Sequence, residues 1–275
     1  MSVSSDGSSE RSTVWLRAAE WLRGRTVTTP QRDEPDPPGF FDSYPRFFST
    51  STTNPRPGRL NPRYRALIEN NQNVIRDRTI LDLASHDGRW TFAALKAGAR
   101  HALGIEGRAN LVAAANSTLH EYGIAEDRYR FIVGDVFEQL DLIAPGSIET
   151  IFCFGFFYHT PHHMRLLSKI ARLDPQHLII DTEVDRSTEP IVRLRKEAVA
   201  LQPNAVTGEP GDPAHAVVGK PTRSALEMML TSFGWQLSYY DWDRVGINRW
   251  DDLLDYREHR RVTVAASRGH ILASR

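Results

Sequence analysis

The sequence predicts an α/β fold built on a parallel sheet, and three observations point there. Residues 79 to 110 change period twice. Ile80 to Ala84 is a short apolar run between turn residues, Thr91 to Ala97 has helical spacing, and Ala102 to Ile105 is apolar again. The alternation continues beyond them: Arg130 to Val133, Ile148 to Phe154 and Gln176 to Glu183 read as further strands, with Ala109 to Tyr122 and Pro161 to Leu173 as helices. Finally, the turn Ala84 to Arg89 and the acid Glu106 fall at strand ends, on the carboxyl edge where open α/β sheets bind ligands.

The turn after the first strand narrows the ligand. A dinucleotide site asks for G-x-G-x-x-G, because the second glycine lets backbone approach a pyrophosphate on the helix N-terminus. Here Ala84 and His86 take the first two glycine places, and Gly88 falls one residue before the third. A β-carbon and an imidazole crowd a pyrophosphate but leave room for a nucleoside without one. Glu106 can accept from two ribose hydroxyls, each charge-assisted contact worth roughly 1.5–3 kcal/mol. The residues point to S-adenosylmethionine.

Asp82-Leu-Ala-Ser-His-Asp-Gly88 resembles the first motif of class I S-adenosylmethionine-dependent methyltransferases in its D-x-x-x-x-D-G form. Glu106, Gly134-Asp135 and Phe154-Gly155-Phe156-Phe157-Tyr158-His159 follow at the family's intervals, over residues 75 to 185. The stretch Thr79 to Glu183 is most similar to the branch holding the tRNA wobble-uridine carboxymethyltransferase and many small-molecule methyltransferases. The resemblance implies a doubly wound, mainly parallel seven-stranded sheet with an antiparallel last strand, to which this sequence adds an N-terminal helical extension and a long insertion after the fifth strand. It also implies cofactor contacts from Asp82, Ala84, Ser85, Gly88, Glu106 and Gly107, an adenine site at Asp135 and Val136, and a methyl-proximal lining at Phe154 and Gly155. Asp135 has a plainer reading as the cap of the next helix.

Taken in order, the chain divides into an N-terminal extension, 1–74, and a cofactor-binding domain, 75–275, with an insertion at 184–221. Residues 1 to 10 read as disordered, Val14 to Leu22 as a short helix, and the proline-rich Thr29 to Pro38 as an extended linker. Tyr44, Phe47 and Phe48 either form a lid over the cofactor, with Tyr44 against the substrate, or pack on the sheet's flank. Arg56, Arg59, Arg63 and Arg65 make a basic stretch able to meet phosphate or carboxylate on an acceptor, or to stand as a solvated helix face; Asn61 to Asn71 is a helix candidate. In the insertion, Val192 to Leu201 reads as helix before Pro203, Gly208, Pro210, Gly211 and Pro213 break the chain. Ser224 and Glu227 stand at capping-box spacing for a last helix ending at Gly234, and Trp235 to Tyr240 and Arg261 to Ala266 form the terminal pair of strands.

Composition bounds the partners. Lys+Arg and Asp+Glu are both 34, so no global basic field drives nucleic-acid binding, and a small-molecule acceptor is the primary reading with RNA the alternative. The lone cysteine, Cys153, excludes an intramolecular disulfide and reads as a buried strand end. No apolar run approaches the roughly 20 residues of a membrane helix, and the first residues lack a signal peptide's pattern, which predicts a cytoplasmic protein.

For catalysis, His159 is the first candidate base, since an imidazole with an ordinary pKa of about 6.5 suits proton removal near neutrality, and Asp181 and Glu183 follow at the functional end of the fifth strand. Tyr158 is placed at the substrate. No metal is expected: His162 and His163 are adjacent and cannot readily face one ion, and the spacing fits no closed zinc site. The function predicted is methylation of a small-molecule hydroxyl. The alternatives are a tRNA-modifying carboxymethyltransferase, an NAD(P)-dependent oxidoreductase and a noncatalytic nucleoside-binding module.

Overall fold

The computed structural model describes residues 38–50, 56–200, 211–244, 246–247 and 250–269. The expected N-terminal helix, and all of the expected linker except Pro38, lie outside them. Among the described residues, seven strands form one sheet in the order β3-β2-β1-β4-β5-β9-β8, where β1 is Thr79–Leu83, β2 His101–Glu106, β3 Tyr129–Val133, β4 Thr150–Phe154, β5 His177–Glu183, β8 Trp235–Tyr239 and β9 Arg261–Arg268. The first five pair in parallel; β9 lies antiparallel between β5 and β8. This is the class I methyltransferase sheet, with its one reversed strand.

Successive strand residues point to opposite faces, and both faces are buried. Leu81, Cys153 and Ile180 face one core with helices α4 (Val136–Leu142), α5 (His163–Arg172) and α6 (Arg223–Ser232). Their neighbours Ile80, Phe152 and Ile179 face the other, packed by α1 (Pro57–Leu67), α2 (Arg89–Lys96) and α3 (Ala109–Glu121). Helix α3 ends at Gly123, whose φ of 71° suits glycine. Gly88 caps α2 at φ 75°; a β-carbon there would meet Phe131 Cζ at 2.7 Å and Ala115 Cβ at 2.9 Å, so the turn requires glycine.

Three local expectations are corrected. Val192–Ala198 is strand β6, not helix; it pairs antiparallel with β7, His215–Pro221, in a separate two-stranded sheet. Its Arg, Leu, Lys, Glu and Ala are good helix formers, and the partner strand overrides that preference. The cap of α6 is Thr222, whose Oγ1 accepts from the Ala225 N–H; the Ser224 hydroxyl donates instead to the Thr188 carbonyl, and Glu227 pairs with Arg223. The helix expected over Asn61 to Asn71 starts earlier, at Pro57, and gives way to a 3₁₀ segment at Glu69–Val74. Among the described residues no helix is long and apolar enough to cross a membrane.

Candidate active site

A cavity of about 390 Å³ opens along the carboxyl edge of the sheet. Its floor follows the strand order. Glu106, Gly107 and Arg108 stand after β2, Gly134, Asp135 and Val136 after β3, Ala84, His86, Arg89 and Trp90 after β1, Phe154 to Phe156 with Tyr158 and His159 after β4, Glu183 at the end of β5, and Arg261 at the start of the reversed β9. Arg59 and Arg63 reach it from α1. The size suits a small-molecule ligand.

The loop between β1 and α2 places Ala84, His86 and Gly88 all at positive φ, of 53°, 54° and 75°. For the two non-glycine residues this left-handed backbone costs of order 1–3 kcal/mol each, and the surrounding bonds hold it. The His86 N–H donates to Glu106 Oε2 at 3.0 Å, and the Ser85 N–H to the Ile105 carbonyl at 2.9 Å. Glu106 Oε1 accepts from the Arg108 N–H at 3.1 Å and from Arg108 Nε at 2.8 Å. The carboxylate is thus fixed on the cavity wall, with Oε1 taken up by Arg108 and a lone-pair direction of Oε2 left for a ligand hydroxyl.

Asp87 lies fully buried just before the amino end of α2. Its carboxylate accepts from Arg89 Nε at 2.7 Å and from Thr50 Oγ1 at 2.8 Å. Burial alone would push this carboxyl up; the Arg89 guanidinium and the His86 imidazole more than reverse it and hold it well below the usual carboxylate range. A charged carboxylate is thus held beside the amino end of α2.

Of the residues predicted from sequence, Ala84, Glu106, Gly107, Asp135 and Val136 line the half of the cavity nearer β2 and β3, and Phe154, Gly155, Tyr158, His159 and Glu183 line its other half. Asp135 Oδ1 also accepts from the Glu138 N–H at 3.1 Å, so it caps α4 as well as facing the cavity. At Gly155, φ 80°, a β-carbon would meet nothing within 4 Å, so the backbone there borders open space.

Five predicted residues stand off the cavity wall. Asp82 is buried behind the loop, accepting from Thr91 Oγ1 at 2.7 Å, and burial pushes its carboxyl up to about 7; it ties α2 to β1. Ser85 is buried and Gly88 packs on Phe131. Tyr44, expected at the substrate, is edge-on to Phe92 and Tyr122 at 4.7 and 5.2 Å, part of the aromatic packing on the sheet's flank. Asp181, expected to act in catalysis, is fully buried between cations: Oδ1 accepts from Arg261 Nη1 at 2.9 Å, and Oδ2 from Tyr256 Oη at 2.6 Å and Arg63 Nη2 at 3.1 Å. Burial pushes this carboxyl up, and Arg63, Arg261 and Tyr256 outweigh it, leaving it below the ordinary range. It is a counter-ion that holds arginines in place, because no reacting atom can reach it.

His159 lines the cavity with little exposure, its ring against that of Tyr158 at 4.1 Å between centroids. Neither imidazole nitrogen has a hydrogen bond among the described residues; Nδ1 lies 3.6 Å from Glu197 Oε2, on β6. His163 points elsewhere, Nε2 at 2.9 Å from the Phe157 carbonyl, and burial lowers its pKa to about 4. Among the described residues no group of three or more His, Cys, Asp or Glu has metal-binding geometry.

Sequence reasoning did not single out Arg89, Trp90, Arg108 or Arg261. Arg59 and Arg63 belonged to the noted basic stretch, and their spacing of four on a helix, which puts both on one face, was the available signal. Arg261 carries none, since its hydrogen-bond partners other than Asp255 are 78 or more residues away.

Residues 80–174 match a family model described as a methyltransferase domain. No curated protein matches the chain. Among solved structures, the N-terminal domain of EvdMO1 with SAH bound is 16% identical, covers 96% of this chain and 100% of its own, and superposes with a TM-score of 0.56. An S-adenosylmethionine-dependent methyltransferase from Mesorhizobium loti is 16% identical over 75% of this chain and 96% of its own, TM-score 0.53. Magnesium protoporphyrin IX methyltransferase (ChlM) from Synechocystis PCC 6803, with bound SAM, is 12% identical over 83% and 91%, TM-score 0.52. At such identities the likeness speaks for the fold, and the motifs on the cavity wall agree with it. Residues 80–174 thus match a methyltransferase domain, and the chain carries the fold of the class I S-adenosylmethionine-dependent methyltransferases.

Proposed function

We propose that the protein binds S-adenosylmethionine in this cavity and transfers its methyl group to a hydroxyl of a small molecule. The observation that carries the reading is Glu106, a buried carboxylate fixed at the end of β2 with acceptor capacity facing the cavity. The residues present fit the cofactor: Glu106 would receive a ribose hydroxyl at Oε2, Val136 would cover the adenine beside Asp135, and Gly155 would border the methionine end without a side chain in the way. A nicotinamide dinucleotide fits worse, because Asp87 is buried by the amino end of α2 and Ala84 and His86 bring side chains where its cradle needs none.

Bound there, the cofactor would supply an electrophilic methyl carbon. Tyr158, His159 and Trp90 would hold the acceptor in line with it, and such alignment can contribute roughly 7–11 kcal/mol. As the oxygen–carbon bond forms and the sulfur–carbon bond breaks, His159 would take the hydroxyl proton, since its nitrogens have no competing hydrogen bond among the described residues. Glu197 Oε2, 3.6 Å from Nδ1, would face the charge that forms.

The test uses labelled cofactor with metabolite extract and with total tRNA. Label on small molecules supports the reading; label on tRNA alone moves the acceptor to RNA. Once an acceptor is known, His159→Ala should lower turnover about 10²–10⁴-fold with S-adenosylhomocysteine affinity nearly unchanged. Full turnover at saturating acceptor would leave His159 a packing residue and catalysis a matter of alignment.

A further inference from the structure

The half of the cavity beyond Gly155 is lined by three arginines in a specific arrangement. Asp181 lies between Arg63 and Arg261, one guanidinium on each oxygen. Asp255 lies between Arg261 and Arg59: Arg261 Nε and Arg59 Nη2 each reach Oδ2 at 2.8 Å, and Arg59 Nη1 reaches Oδ1 at 2.8 Å. The result is a ladder, Arg63, Asp181, Arg261, Asp255, Arg59, that begins and ends on a cation. All three arginines line the cavity and neither aspartate does. Both carboxyls are held below the ordinary range despite burial, Asp255 by Arg59 and Arg261, so the ladder keeps its charges near neutrality.

Two carboxylates also border this half, and open guanidinium edges rather than net charge distinguish it. Glu183 is bonded to Lys220, with Arg261 Nη2 at 3.4 Å, and Glu197 is beside His159. Arg63 spends Nε and Nη2 on Asp181 with its guanidinium 5.0 Å over the Trp90 ring, and its Nη1 has no hydrogen bond among the described residues. Arg261 Nη2 has only long contacts, to Tyr158 Oη at 3.5 Å and to Glu183. Guanidinium edges left open beside an aromatic wall suit an oxyanion.

Resting on the methyl-transfer reading above, we infer that the acceptor is itself an anion, a small molecule whose carboxylate or phosphate is anchored by Arg63 and Arg261 while its hydroxyl faces His159. The strand order supports the division of labour, since the ladder lies at the β5 and β9 end, away from Glu106 and Asp135 at the β2 and β3 end. An anionic acceptor is also drawn toward the cofactor's sulfonium.

The same oxyanion chemistry is carried by the cofactor's methionine carboxylate, and the experiment separates the two sources. Inorganic phosphate is titrated calorimetrically into the full chain alone, saturated with S-adenosylhomocysteine, and saturated with 5′-methylthioadenosine, which lacks that carboxylate. The inference expects saturable phosphate binding in all three states, weakened about tenfold or more in Arg63→Gln and partly restored in Arg63→Lys, with S-adenosylhomocysteine affinity kept within about twofold. Arg59→Gln, at the other end of the ladder, serves as the second variant if Arg63→Gln does not fold, and is expected to weaken phosphate in the same direction. Phosphate binding that disappears with S-adenosylhomocysteine and returns with 5′-methylthioadenosine would assign the arginines to the cofactor and overturn the inference. So would phosphate binding indifferent to both variants, or none at all. Failure of S-adenosylhomocysteine to bind strikes the methyl-transfer reading instead.

Discussion

Asp181→Asn should damage stability far more than chemistry. The carboxylate receives Arg261 Nη1, Tyr256 Oη and the Nε and Nη2 of Arg63, four donors on two fully buried oxygens. Asparagine keeps one acceptor, turns a donor toward the others, and leaves two guanidiniums sharing a neutral amide. Breaking one partner of such a buried set costs about 3–5 kcal/mol, a large part of the 5–15 kcal/mol that holds a typical domain together. At about 2–4 °C per kcal/mol for a domain of this size, the midpoint should fall by roughly 6–20 °C. Urea denaturation of both proteins at pH 7 measures the difference directly. Glu183→Gln, two residues along β5 and partly exposed, is the control, with an expected loss below about 1 kcal/mol. A loss below about 1 kcal/mol for Asp181→Asn as well, joined to a hundredfold fall in turnover, would refute the counter-ion role and return Asp181 to the reaction.

Asp82 offers a test with a defined sign. Its folded carboxyl, pushed up to about 7 by burial, stands above an unfolded value of about 3.9, so its contribution is complete below about pH 4 and is lost as pH rises toward 7. The stability of wild type minus that of Asp82→Asn should fall across that window; subtracting the variant removes the opposite trend from His163, and a flat difference would contradict the burial argument. Gly88→Ala should cost about 1–3 kcal/mol, since the new carbon meets Phe131 and Ala115 below 3.0 Å at a left-handed φ; thermal unfolding unchanged from wild type would show that the loop relaxes freely.

The central sheet was legible because its strands are buried on both faces and read as apolar runs between turns, as at Ile80 to Leu83 and Ile151 to Phe154. The residues lining that edge were legible for the same reason: Glu106, Asp135 and Gly155 lie at a strand end or within two residues of one, so local order in sequence gives their place in space. Strand β6 was not, because Val192–Ala198 is rich in helix formers and takes its form from pairing with β7, across a connection of 16 residues (199–214). Asp181 was placed on the right strand, but its burial among cations was not legible. What makes it a counter-ion is Arg63, 118 positions earlier, and Tyr256 and Arg261, 75 and 80 later, a meeting that no local pattern records. Tyr44 likewise joined an aromatic cluster with Phe92 and Tyr122, where packing decided between flank and lid.

Calorimetric titration of S-adenosylhomocysteine into the wild-type chain and into Glu106→Ala bears most directly on the claim that the cavity is a methyl-donor site. The account predicts one saturable site in wild type, binding weakened by about 1–3 kcal/mol, roughly five- to 150-fold, in the variant, and no comparable heat from NAD. Equal affinity in the two proteins, or binding of NAD with none of S-adenosylhomocysteine, would contradict it.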